Sequence, residues 1–373
     1  MNEGFIYETL NNQSQETDMS KPSLMILSLG ELGTNLLEAV SRADLFGTIF
    51  VASRDITKAQ ERAGNAMIGA GLEGHFPDIR AVELDLNAPG FARQFSDIAP
   101  DYLFSAPSLL PWWKLDAMEV QLPFAACTSL HLALMVDLRN RLADASHKAL
   151  WIGASYPDVI NAVLNRTGFG PDCGIGNVQE PIPKFQRHVA TQMGCAPGQV
   201  EVRLVAQHAF EYYVLNASVY EELPPHLLQV TVDGQDVTHL AVQALRQSFP
   251  FPYDLHFNRV TASAGVQALR ALTADRPTAT HLPGLGPLIG GYPVLASRGG
   301  IGLNLPPHWT KAQAIAANEA SLEWDGIAGV DADGAIHFTP KTAESLRALL
   351  GHPTDMLTTQ TAAAQAKALL AAL

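Results

Sequence analysis

His208 follows the apolar run Val200 to Ala206, and a strand predicted over that run ends at the histidine. An imidazole gives and takes a proton near neutral pH with less tuning than any other side chain, so His208 is the candidate acid/base. A buried histidine with its hydrogen bonds satisfied is the competing assignment. Glu180, Lys184 and Arg187 fall within eight residues of one another at a predicted helix start. Glu180 is a candidate to hold the imidazole, and Lys184 or Arg187 to bind a substrate carboxylate. The i, i+4 spacing of Glu180 and Lys184 fits a solvated surface pair equally well.

A second group sits near the start of the chain. Ser28-Leu29-Gly30-Glu31-Leu32-Gly33 is a GxGxxG dinucleotide turn with serine in the first glycine's place. The apolar run Leu24 to Leu29 precedes it, and Leu32, Leu36, Leu37 and Val40 share one face of the helix that should follow. In such a turn Gly30 lets the backbone approach a pyrophosphate and Gly33 lets helix pack on strand. The helix N-terminus then faces the negative charge. The strand about twenty residues on ends in Ser53-Arg54, where NAD sites usually carry an acid on the ribose 2′-OH. A guanidinium fork, a hydroxyl and Lys58 one turn later suit a 2′-phosphate, so NADP is favoured over NAD. Ser105, Ala106 and Pro107 at the end of the fourth strand, and Ser155 after the fifth, complete the candidate cofactor contacts. Trp112 and Trp113 would stand at the mouth of the site and fit a larger or more apolar substrate, or else pack a domain interface.

The elements that must position these residues alternate in the first half. Strands are predicted at Leu24–Leu29, Thr48–Ala52, Ile79–Leu84, Tyr102–Ala106 and Lys148–Gly153, with a helix over Asp55–Ala70. Uniformly apolar strands spaced by helices imply a parallel sheet covered on both faces. Leu122 to Leu138 reads as a buried helix. The second half mixes strands (Val200–Ala206, Leu228–Val232) with helices (Pro183–Gly194, Val237–Ser248, Ala262–Thr273, Thr361–Leu373) and a Gly/Pro-rich stretch from Leu282 to Gly302. The fold class is therefore α/β, a doubly wound Rossmann sheet followed by a mixed α+β domain. The expected division is a leader at 1–20, a dinucleotide domain at 21–156, and a substrate and oligomerisation domain at 157–373.

Composition bounds the partners. The 373 residues carry 24 Lys+Arg against 37 Asp+Glu, a net charge of −13 that disfavours nucleic acid and anionic membranes. The chain is 47% hydrophobic and 16% charged, enough for a large core. Three cysteines without a CxxC pair argue against a disulfide framework and fit a reducing cytoplasm. The polar first 20 residues, Met1 to Ser20, do not read as a secretory signal, and no run of about 18 apolar residues predicts a membrane span.

Several segments resemble the lactate/malate dehydrogenase superfamily, which also holds the NAD-dependent family 4 glycosidases. Ala154-Ser155-Tyr156-Pro157-Asp158-Val159 is similar to the family's Asn-Pro-Val-Asp turn. Gly174-Ile175-Gly176-Asn177-Val178 with Lys184-Phe185-Gln186-Arg187 is similar to the segment leading to its carboxylate-binding arginine, and Val205-Ala206-Gln207-His208-Ala209 to the strand ending in its histidine. Thr261 to Leu272, Pro293-Val294-Leu295 and Gly299-Gly300-Ile301 look like its C-terminal helix and hairpin; the resemblance covers about residues 24–325. It implies a lactate-dehydrogenase-C-terminal-like second domain and a dehydrogenase acting on a carbonyl or imine, with Asn177 near the substrate. It also implies assembly as a homodimer or homotetramer.

The departures argue against lactate or malate themselves. The family's asparagine falls on Ser155, its arginine on or near Lys184, its orienting aspartate on Pro181 beside Glu180, and the loop from Ser105 to Trp113 has no arginine. A carboxylate-bearing substrate larger than lactate is expected. By analogy with the glycosidases, Cys173 and His208 could hold a divalent metal; that is the less favoured assignment, and a non-catalytic NADP sensor is a third. The Ser-Arg strand end also resembles saccharopine-dehydrogenase-like reductases, which act on amino-acid imines.

Overall fold

The computed structural model describes residues 21–116, 122–216, 221–251 and 254–373, so the expected leader lies outside the described residues. Five strands, β1 (Ser23–Ile26), β2 (Thr48–Ser53), β3 (Asp78–Glu83), β4 (Tyr102–Ser105) and β5 (Leu150–Gly153), form one parallel sheet in the order β3-β2-β1-β4-β5. Between them run α1 (Glu31–Val40), α2 (Ile56–Leu72), α3 (Phe91–Ile98), the short α4 (Trp112–Asp116) and α5 (Thr128–Ala143). Leu24, Met25 and Ile26 of the central strand are fully buried, as a strand covered on both faces must be. Strand order turns back between β1 and β4, and the carboxyl ends there open the crevice where such sheets take ligands.

The second half opens with α6 (Pro157–Arg166) and α7 (Ile182–Met193). An antiparallel sheet follows, of β6 (Val200–Val205), β7 (Leu227–Val232) and β8 (Gln235–Asp236), with α8 (His208–Leu215) and α9 (Thr238–Leu245). Helix α10 (Asn258–Leu272) packs against α1 and leads to the sheet of β9 (Thr278–Pro283), β10 (Gly291–Ser297) and β11 (Gly300–Leu303). The Gly/Pro-rich stretch is thus mostly β-structure. The chain closes with α11 (Lys311–Ala320), a small sheet of β12 (Ile327–Val330), β13 (Ile336–Phe338) and β14 (Met356–Leu357), and helices α12 (Pro340–Leu350) and α13 (Ala362–Ala372).

One departure from the sequence reading bears on function. His208 does not end a strand: β6 stops at Val205, Gln207 caps α8 by accepting from Ala209 N at 2.9 Å, and His208 is the first residue of the helix. The last helix, α13, returns to the first half and packs on α5. Its Ala366 and Leu369 join the same buried cluster as Leu130 and Leu138 of α5. No helix among the described residues is long and apolar enough to cross a membrane.

Candidate functional site

A cleft of about 1240 Å³ runs from the Ser28–Gly33 turn, past the ends of β2 and β4, to His208 and Asp325. That exceeds the room one small ligand needs and suits a dinucleotide with a substrate beside it.

At the Ser28–Gly33 end Gly30 precedes the first turn of α1, and a Cβ built there meets nothing within 4 Å, so this backbone faces open space. Gly33 is the opposite case. A Cβ there would lie 1.6 Å from the Ser28 carbonyl oxygen, because α1 rests directly on the end of its strand. Ser28 accepts at Oγ from Ala106 N at 3.1 Å, tying the ends of β1 and β4 together, which a glycine could not do. The first-turn amides of Glu31, Leu32 and Gly33 have no partner within the helix and line the cleft together with Ala106 and Pro107.

At the end of β2, Ser53 Oγ accepts from Asp55 N at 3.1 Å, and Asp55 caps α2 by accepting from Lys58 N. Arg54 and Lys58 are exposed and line the cleft. So does Arg62, which the sequence reading passed over although its i+4 spacing from Lys58 continues the stripe. The cleft-lining carboxylate near here, Asp85, is turned back on Asn87 N at 2.9 Å.

At the other end the His208 ring bonds through Nδ1 to both carboxylate oxygens of Asp325, at 3.1 and 3.0 Å. Tyr156 OH and Gln207 Nε2 each donate to Asp325 Oδ2 at 2.7 Å. An acceptor at Nδ1 fixes the tautomer and leaves Nε2 to exchange a proton with a ligand. Phe124 lies over the ring at 4.3 Å and Tyr156 meets it edge-on at 5.0 Å, so its plane is set. Tyr156 holds a left-handed backbone (φ 51°), a strained position for a non-glycine residue. Burial opposes charging of the His208 ring. The charge and hydrogen bond of Asp325, backed by Asp158 and Glu180, outweigh it and raise the ring's pKa above the ordinary value. Burial pushes the Asp325 carboxyl up, but His208, Gln207 and Tyr156 together bring it below its usual range. His131, also in the cleft, is pushed down to about 4 by burial and stays neutral. The two histidines of the cleft therefore differ in kind, and His208 is the one equipped to carry a proton.

The structure rearranges the other candidates. Glu180 lines the cleft but does not hold the imidazole; Asp325 does, from the turn before β12. Nothing periodic surrounds Asp325 in sequence, so only the fold could bring it forward. Lys184 is not a cleft residue: its ammonium turns inward and donates to Val214 O at 2.5 Å, and burial lowers its pKa to about 8. Arg187 lies exposed on α7 away from the cleft. The expected carboxylate clamp is thus not assembled. Ser105 is fully buried, accepts from Trp151 Nε1 at 2.8 Å and does not line the cleft. Ser155 lines the cleft and donates to Pro107 O at 2.7 Å, while Tyr156, directly before Pro157, supplies the polar group that enters the site. Asn177 lines the cleft and donates to Asp158. Trp112 and Trp113 both line it, edge to face at 5.8 Å. Cys173 is fully buried outside the cleft, where burial pushes its thiol up, so it does not join His208. Among the described residues no group of three or more His, Cys, Asp and Glu side chains could hold a metal ion.

No protein-family model matches the chain, and no curated protein matches it in sequence. Solved structures match it in fold. A lactate dehydrogenase from a Medee basin deep-sea metagenome library aligns with a TM-score of 0.58 and 10% identity, covering 82% of this chain and 97% of that one. A malate dehydrogenase from Cryptosporidium parvum gives 0.57 and 12%, covering 81% and 96%. A malate dehydrogenase from Plasmodium falciparum in complex with NADH gives 0.54 and 11%, again covering 81% and 96%. The chain has the lactate/malate dehydrogenase fold, a Rossmann-type parallel sheet followed by a mixed α+β region.

Proposed function

We propose that this protein is an NADP-dependent oxidoreductase that moves a hydride to or from the carbon of a carbonyl or imine, with His208 as acid/base. The observation that carries this reading is one cleft holding both a dinucleotide turn and an Asp325-oriented imidazole. A nicotinamide bound there supplies or accepts the hydride. The backbone amides after Gly30 receive its pyrophosphate, and the stripe Arg54, Lys58 and Arg62 receives the 2′-phosphate. In the reducing direction His208 donates its Nε2 proton to the substrate oxygen or nitrogen, and Asp325 stabilises the imidazolium that precedes transfer. Aromatic side chains, Trp112, Trp113 and Trp324 among them, exclude water from the substrate end and favour a bulky acceptor. The chain works in the cytoplasm on a small molecule, as a homodimer or homotetramer, with the cofactor half ending near residue 156. Exposed Ile68, Leu72 and Phe76, 69%, 86% and 87% accessible, offer apolar surface for pairing.

Calorimetric titration with NADPH and NADH tests the cofactor. Wild type should prefer NADPH, and Arg54→Ala should shrink that preference about 10- to 100-fold, the worth of a charge-assisted bidentate contact. Failure of both nucleotides to bind would sink the reading.

A further inference from the structure

Glu180 and Glu211 stand side by side in the substrate end of the cleft. Glu180 precedes α7, and Glu211 lies one helical turn after His208, on the same face of α8. They are 9% and 4% exposed, and each has a buried Oε1 with no hydrogen-bond partner among the described residues. Neither belongs to an ion pair among the described residues. Burial, then the charge and hydrogen bond of Glu180, push the Glu211 carboxyl well above its ordinary range. A cation seated beside the pair favours the charged form of Glu211.

The rest of this end holds no arginine. Lys184 and Arg187 do not line it, the cationic stripe Arg54, Lys58 and Arg62 lies at the other end, after β2 and on α2, and the remaining basic side chains of the cleft are Lys114, His131 and His208. The walls include Phe124, Tyr212, Tyr213 and Trp324. An aromatic-walled pocket with two carboxyls and no facing arginine repels a carboxylate and welcomes a cation.

We propose that the substrate carries a protonated amine, seated on the Glu180–Glu211 pair one helical turn from His208. The ammonium's donors satisfy the orphaned carboxylate oxygens, and the rings face its charge with their negative faces. This rests on the hydride-transfer reading, because it places the amine on that reaction's substrate.

The test is calorimetric titration of the full-length protein near neutral pH with two probes of matched shape, phenethylammonium and 2-phenylethanol. NADPH binding is measured on the same preparations. The amine should bind at least about tenfold more tightly than the alcohol. Glu180→Gln and Glu211→Gln should each reduce that preference, and the double variant should abolish it. The single variants carry the test alone should the double variant not fold. Equal affinities, no binding of either probe, or an undiminished preference in the variants overturns the proposal. NADPH binding with no amine preference defeats this inference alone; amine preference without NADPH binding defeats the hydride-transfer reading instead.

Discussion

Asp325→Asn is expected to lower turnover about 100- to 10,000-fold, the range a positioned acid/base supplies, and to move the pH dependence of reduction downward. The sign follows from the site. Reduction needs His208 charged, and Asp325 is the main influence raising the pKa of that ring against burial. Wild-type reduction should therefore persist below the raised value, which lies above the ordinary ~6.5, and fail as pH rises through it. Without the Asp325 charge, burial counts for more, and the failure occurs at lower pH. In the oxidising direction the neutral ring is needed, so oxidation is gained as pH rises through the same value. An amide at position 325 can also turn its NH₂ toward Nδ1 and select the wrong tautomer. His208→Ala should cost about as much, with the double variant little worse, because the two act as one unit. NADPH binding should survive in all three, since neither residue touches the Ser28–Gly33 turn. Initial rates across pH, with a titration at one pH, decide the matter; an unshifted profile at full rate would remove His208 from the chemistry.

Gly33→Ala should be the most damaging single methyl at the cofactor end. The added carbon would stand 1.6 Å from the Ser28 carbonyl oxygen, well inside any real contact, and that oxygen is backbone. Helix α1 must lift off the end of β1, or the turn must deform. Overpacking of this kind costs about 1–3 kcal/mol or more. The displacement also moves the amides at the start of α1, and about 1 Å of misplacement can cost roughly 100-fold. NADPH affinity should fall by that order and the thermal midpoint by several degrees. Gly30→Ala adds a methyl where nothing lies within 4 Å, so it should leave the midpoint nearly unchanged while weakening the nucleotide that fills this space. Equal thermal effects at both glycines would mean that the turn is not packed as described.

The Ser28–Gly33 end of the cleft was legible in the sequence because its determinants are local. A buried strand, a tight turn and an amphipathic helix lie within Ser23–Val40, and the exposed cations Arg54, Lys58 and Arg62 come after β2 and on α2. Even the missed Arg62 is readable from helical spacing. The five parallel strands were legible for the same reason, since the apolar runs of the inner strands had to be buried on both faces wherever they went, while β3 at the edge is largely exposed.

The substrate end was legible only in part, through His208 and Glu180. Which carboxylate holds His208 depends on a contact across 117 positions, and Tyr156 reaches that carboxylate across 169. A periodic pattern reports which face of an element is buried, not what meets it there. Lys184 shows the limit most clearly: its sequence position suits a substrate-binding cation, yet packing turns its ammonium onto the Val214 carbonyl. The sequence alone determined a doubly wound parallel sheet and the tight glycine turn after its first strand. The tertiary structure decided that the imidazole is held by Asp325 and that the facing groups are acids rather than arginines, because only packing brings residues so distant in the chain within hydrogen-bonding range.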